Sequence, residues 1–185
     1  MATARLTRLL ERTAIVVVAL AISVGVIALL SGGLLAGSDE PGISGNGAAL
    51  GIKFRDLGHM HLAAGSLHPV YDSVPPTSGA HVPAPVKRDE TPISVDQLLQ
   101  ALEVGNVVIL YGTRSPPSGL RALADSISAP FTPALAASGQ AVILARRPGT
   151  RGLVVLAWTR LLKVASVRDP NLRSFAEQWL GHGAP

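Results

Sequence analysis

The 185-residue chain contains no cysteine. That excludes disulfides, cysteine–zinc sites, thiol catalysis and lipoprotein-type acylation together. The fold therefore stands on its apolar core alone, even outside the cytoplasm. Aromatic residues make up only 4% of the chain, so that core must be built from Val, Leu, Ile and Ala. Charged residues are also scarce, at 15%, and the net charge of +4 comes from scattered basic residues. Their one local cluster, Arg146, Arg147 and Arg151, fits a solvated hairpin tip. A nucleic-acid stripe would need more Lys and Arg on one face, so no nucleic-acid partner is expected. No phosphate loop, dinucleotide fingerprint, HExxH zinc motif or G-x-S-x-G elbow is present.

What the chain does have is hydrophobicity in one place. Hydrophobic residues reach 48%, and much of the excess lies in residues 14–30, AIVVVALAISVGVIALL, which carry no charge. With residues 31–36 the run reaches the roughly 20 apolar residues that a helix needs to cross a bilayer. A cleavable signal has a shorter apolar region and a small-x-small cleavage site, and Leu34-Leu35-Ala36 is a poor one. Arg5, Arg8 and Arg12 precede the run, and Asp39 and Glu40 follow it. The positive-inside rule then places the N-terminus in the cytoplasm and everything after the span outside. The expected organisation is a cytoplasmic stub and transmembrane anchor over residues 1–36, a Gly/Ser-rich flexible linker over 37–51 and an extracytoplasmic domain over 52–185. The lipid bilayer is thus the first expected partner, with an envelope protein partner left unidentified.

Within the domain the expected class is α+β, a small mixed sheet with packed helices in the order α-β-α-β-β-α. Ser94 and Gln97 form a capping box ahead of Val95, Leu98, Leu99 and Leu102, and Gly105 ends that helix. Residues 107–111 (VVILY) read as a buried strand. Residues 115–118 introduce a second helix with Leu120, Leu123 and Ile127 on one face. Residues 141–145 (AVILA) and 153–158 (LVVLAW) read as strands, and the Pro148-Gly149 turn between them predicts an antiparallel hairpin. The last helix starts with Asp169 as N-cap and Pro170 at its first position, buries Leu172, Phe175, Ala176 and Trp179, and stops at Gly181.

Residues 58–81, GHMHLAAGSLHPVYDSVPPTSGAH, hold four of the chain's five histidines in a long irregular stretch. Such a stretch is uncommon in a small domain unless it is functional or disordered. Neutral imidazole is the commonest metal ligand. In extended backbone, His59 and His61 fall on one face. The Pro-Pro and Thr-Ser-Gly turn would bring His81 back toward them, and Glu103 would add a carboxylate. His59, His61, His81 and Glu103 are therefore the candidate ligands, a set suited to zinc or copper(II). The plainer alternative is a group of exposed or hydrogen-bonded histidines. Thr77 and Ser78, with His81 and Asp72 nearby, would make a nucleophile only with an assembled base and acid. Turn hydroxyls bonded to the local backbone are the simpler reading.

The stretch YDSVPPTSGAH, residues 71–81, resembles the Y-N-S-x-P-P-T-S-G-P-H signature of the domain of unknown function 3105 family. Residues 102–111 (LEVGNVVILY) resemble that family's L-E-H-G-x-V-V-I-x-Y block, and LVVLAWTR with the Gly-Ala-Pro tail resembles its C-terminal part. The likeness runs from about His61 to the C-terminus. It implies an exported, membrane-anchored bacterial protein and brings no established activity with it. The family's V-H-x-L-E-H-G block reads LQALEVG here, so Gln100 and Val104 stand where the resemblance implies histidines. Three readings remain open on sequence: a membrane-tethered binding or scaffold module of the bacterial envelope, a histidine-based copper or zinc protein, and an exported hydrolase. Of these a non-enzymatic role is the expectation.

Overall fold

The computed structural model describes residues 49–185. The expected cytoplasmic stub, membrane span and most of the linker lie outside the described residues. Among the described residues, no helix is long and apolar enough to cross a membrane.

The domain is a mixed α+β fold with one six-stranded sheet and four helices. In chain order the elements are β1 (Ile52–Lys53), β2 (Thr91–Pro92), α1 (Val95–Glu103), β3 (Val107–Tyr111), α2 (Leu120–Ser128), α3 (Pro133–Ala137), β4 (Val142–Arg146), β5 (Leu153–Ala157), β6 (Arg160–Val164) and α4 (Pro170–Trp179). The strands lie side by side in the order β1-β6-β5-β3-β4-β2.

Strand β3 is central, and all its residues are buried. Successive side chains on a strand point to opposite faces. Val107, Ile109 and Tyr111 accordingly pack with Leu120 and Ala124 of α2 and with Leu172, Phe175 and Ala176 of α4. Val108 and Leu110 pack on the other face with Leu98, Ala101 and Leu102 of α1 and Ala136 of α3. Helices on both faces explain why β3, β4 and β5 read as unbroken apolar runs rather than alternating ones. The capping box at α1 forms as expected. Ser94 Oγ accepts from the Gln97 amide at 3.1 Å, and Gln97 Oε1 accepts from the Ser94 amide at 3.2 Å. Asp169 likewise caps α4, with Pro170 at its first turn.

One expectation is corrected. Strands β4 and β5 do not form a hairpin; β3 lies between them, parallel to β4 and antiparallel to β5. The Pro148-Gly149 turn instead carries the chain over the C-terminal end of β3. The Arg147 amide donates to the Tyr111 carbonyl at 2.8 Å on the way. The crossing is close enough that a Cβ on Gly112 would lie 2.2 Å from the Thr150 carbonyl oxygen, which only glycine tolerates. The true hairpin joins β5 to β6, with Ala157 opposite Arg160. Its turn docks the irregular segment: the Thr159 amide donates to the Thr77 carbonyl at 3.0 Å, and the Phe54 amide to the Thr159 carbonyl at 2.9 Å.

Among the described residues, Leu50 ties the start of the domain to its last helix. Its amide donates to Gln178 Oε1 at 2.8 Å, and its carbonyl accepts from the Trp179 indole at 3.0 Å.

A buried polar hub ties the α1 end of the sheet together. Asn106 is 1% exposed. Its amide nitrogen donates to the carbonyls of Ala101 and Ala136, and its oxygen accepts from the Ala141 amide at 2.9 Å. Replacing it leaves the Ala141 amide without its partner, at a cost of about 1–3 kcal/mol when buried, while the Ala101 and Ala136 carbonyls keep the backbone amides of Asn106 and Gly139. Asn106→Ala should therefore lose roughly 1–3 kcal/mol of stability in urea denaturation; a loss under ~0.5 kcal/mol would show that water replaces the side chain.

Candidate metal centre

Residues 75–81 form a buried wall against the β5–β6 turn, and Thr77, Ser78 and His81 have no exposed surface. The local sequence explains the burial. Two prolines remove backbone donors that a buried loop would otherwise have to satisfy, and the Val74–Pro75 peptide is cis. The hydroxyls bond locally. Ser78 Oγ donates to the Arg55 carbonyl and accepts from the Leu57 amide, both at 3.1 Å. Tyr71 covers the wall, donating to the Ala80 carbonyl at 2.8 Å. Burial, with Asp96 nearby, pushes the Tyr71 phenol above its ordinary range. Gly79 has φ +125°, and a Cβ there would meet the Tyr71 ring at 2.8 Å, so the wall needs glycine at that position.

A single parallel bridge joins His61 to His81. The His81 amide donates to the Met60 carbonyl at 3.1 Å, and the Leu62 amide to the His81 carbonyl at 2.8 Å. Paired residues on parallel strands send their side chains to the same side of the ladder. The two imidazoles accordingly lie edge to face, with centroids 5.4 Å apart. Glu103, the last residue of α1, completes the group. Its carboxylate lies 3.1 Å from Nε2 of His61 and 3.1 Å from Nε2 of His81. One ligand atom from each of the three residues lies within 4.8 Å of the other two.

Of the four expected ligands, then, the structure brings His61, His81 and Glu103 together. His59 lies elsewhere, with its ring 6.4 Å from that of Trp158. Period-two alternation belongs to regular strand backbone, and residues 58–60 are not in a strand. Thr77 and Ser78 form no nucleophile–base pair with His81, whose Nδ1 bonds the Gly79 carbonyl at 3.0 Å.

That last contact fixes the chemistry of His81. A carbonyl can only accept, so Nδ1 carries the proton. In the neutral ring, Nε2 is then a bare lone pair. It is buried, faces Glu103 Oε2 at 3.1 Å and makes no hydrogen bond. Two lone pairs at that distance repel unless a cation stands between them or the ring takes up a second proton. Metal-bound histidines are oriented in this way, through the second ring nitrogen bonded to a carbonyl. Glu103 also sits at the C-terminal end of a helix, where the macrodipole disfavours an anion. No basic residue occupies the last turn of α1.

Two positioning contacts were not anticipated from sequence. Gln100 Nε2 donates to Glu103 Oε2 at 3.2 Å; the i,i+3 spacing on α1 was the available signal. His68 and the Val82 amide both meet Asp96 Oδ1 at 2.8 Å, in the first turn of α1. The loop is thereby fastened at both ends of that helix.

The fold and this cluster define a small mixed α+β domain carrying a histidine–carboxylate group at a loop–helix junction. Residues 67–184 match the family model described as protein of unknown function (DUF3105), and the chain belongs to that family. No curated protein and no solved structure matches the chain. His81 and Glu103 fall inside the family match, and His61 lies just ahead of it.

Burial alone would raise the Asp96 carboxyl, but the Val82 amide and His68 outweigh it and hold the group below its ordinary range. The folded chain thus binds this proton less readily than the unfolded chain. The stabilisation is present above the ordinary carboxylate range and lost as pH falls through and below it. Asp96→Asn should cost about 1–2 kcal/mol at pH 7. Urea denaturation of both chains should show that difference shrinking below about pH 4; a constant difference would mean that the carboxylate charge contributes nothing.

Proposed function

We propose that the chain is a membrane-tethered, extracytoplasmic domain that binds one copper(II) or zinc ion through His61 Nε2, His81 Nε2 and the Glu103 carboxylate. The observation that carries this reading is the buried, unbonded Nε2 of His81, held with its lone pair toward a carboxylate. The tether reading is supported by the apolar run at residues 14–30 and the basic residues ahead of it.

The donor set suits the ions. Imidazole nitrogen and carboxylate oxygen favour zinc and copper(II) over calcium or magnesium, which prefer all-oxygen sites. Tetrahedral bonds of about 2.0–2.1 Å to zinc would place ligand atoms roughly 3.3 Å apart. The 3.1 Å separations across Glu103 are close to that already. His61, whose side chain is 49% exposed, is free to make the remaining adjustment, whereas His81 has no exposed surface. Three protein ligands leave a fourth position for water or an incoming ligand. Gln100 steadies the carboxylate from the same helix. A binding or scaffold module without metal is the second reading, favoured by the exposed loop that follows His61.

Calorimetric titration of the full chain in detergent with zinc and with copper(II) distinguishes the two. One ion per chain is expected, with at least a tenfold weakening in Glu103→Gln, which keeps the shape of the side chain, and loss of binding in a His61→Ala/His81→Ala double variant. If His81 is instead an imidazolium paired with Glu103, the wild-type chain will take up no more ion than the double variant, and the metal reading fails.

A further inference from the structure

We propose that the cleft between residues 84–88 and the N-terminal turn of α1 binds a small amphipathic carboxylate, an anion carried on an apolar body. The cleft has a volume of about 420 Å³, within the range of small-molecule sites. Its apolar lining includes Val86, Ile143 and Ala145, which belong to the core on the α1 face of the sheet. The sequence opens it. Pro83 and Pro85 remove two backbone donors, and residues 82–88 form no strand. Strand β2 is only two residues long and pairs with β4 at Ala145 and Arg146. Residues 84–88 therefore run beside the sheet edge without completing it.

The charges at this edge are sorted by sign. Residues 87–90 read Lys-Arg-Asp-Glu, so adjacent opposite charges could neutralise one another. They do not. Asp89 and Glu90 both pair with Arg121 of α2, which packs on the other face of the sheet. Glu90 makes that turn at φ +59°, a conformation that a residue with a side chain seldom adopts. Lys87 and Arg88 line the cleft, and among the described residues neither makes an ion pair or a side-chain hydrogen bond. Gln97 adds a donor. Its Oε1 is committed to the Ser94 amide, which leaves Nε2. No acidic residue lines the cleft, and Asp96 in the same helical turn is already held by His68 and the Val82 amide. Two unpaired cations and an amide donor beside apolar side chains complement an anion with an apolar body. An inorganic anion would leave the apolar lining in water.

A peptide adding a strand is a poorer occupant, because the outer edge of β4 is already capped. The Val142 amide donates to Ser128 Oγ at 2.9 Å, the Leu144 amide to Asp89 Oδ1 at 2.7 Å, and the Glu90 amide to the Leu144 carbonyl at 2.8 Å. Strand addition needs an open ladder. None of His61, His81 and Glu103 lines the cleft, so the inference does not depend on the proposed metal centre.

The test is calorimetric titration of the metal-free full chain in a non-ionic detergent, with the same micelles as blank. The probes are phenylbutyrate and its neutral counterpart phenylbutanol. One phenylbutyrate per chain is expected, bound several-fold more tightly than the alcohol. Lys87→Gln/Arg88→Gln should weaken the acid about tenfold and leave the alcohol unchanged. Arg151→Gln/Lys163→Gln removes the same charge elsewhere and should leave the acid unchanged. All four residues are exposed, so neither pair of substitutions disturbs the core. No uptake beyond the micelle blank would overturn the proposal. Equal binding of acid and alcohol, or equal weakening by the two pairs of substitutions, would overturn it as well, since the cations at the cleft would then select nothing.

Discussion

Everything distinctive about this domain depends on one short piece of register, the parallel bridge that sets His61 beside His81. Two backbone hydrogen bonds make it. Because side chains alternate across a strand, slipping this pairing by one residue would send one imidazole to the far side. The bridge is too short to hold itself. It is held because residues 75–81 are already buried against the β5–β6 turn, with Thr77 on the Thr159 amide and Ser78 on the backbone of residues 55 and 57. Those contacts position His81. His61 is then placed by backbone pairing to a wall that the sheet has fixed.

The cluster works against stability in ways the rest of the fold offsets. A carboxylate ends α1, where the helix dipole opposes it. A histidine nitrogen is buried without a hydrogen bond. Both sit beside a well-satisfied region, in which Asn106 bonds α1, α3 and the start of β4, and the C-terminal tail closes on α1 through the Ala184 amide and the Glu103 carbonyl at 2.8 Å. The contrast is informative. Around Asn106 the side-chain polar groups are paired. At His81, Nε2 faces the Glu103 carboxylate without a hydrogen bond, as a ligand for a cation would.

The same physics explains what the sequence allowed one to read. Capping chemistry is local, so Ser94–Gln97 and Asp169–Pro170 marked two helices correctly. The strands at Val107–Tyr111, Val142–Arg146 and Leu153–Ala157 were visible as apolar runs, but their order was not. A turn signal at Pro148-Gly149 reports that the chain reverses, not which strand lies in the gap, and β3 occupied it. Strand β6 was overlooked because Lys163, which is exposed, breaks its apolar run near the sheet edge. The two-residue strands β1 and β2 are too short for any period to show. Helix α3 has a legible start in Thr132 and Pro133.

In the site, residue type was legible and geometry only in part. His61, His81 and Glu103 could be named from their chemistry, yet the alternation argument that selected them also selected His59. Alternation presumes a ladder, and whether a ladder exists at residue 59 depends on hydrogen bonds to a segment some twenty residues away. The supporting contacts show the same limit. Gln100 lies on the same helix as Glu103 and was within reach of spacing rules, whereas the joint grip of His68 and Val82 on Asp96 arises only when the loop closes across α1. That closure leaves the three candidate ligands unequal. His81 is locked by the wall and by the Gly79 carbonyl, Glu103 is steadied by Gln100, and His61 stands half in solvent at the foot of the exposed loop. In the proposed centre an ion would thus meet two fixed donors from the solvent side, and His61 would be the ligand whose movement admits or releases it.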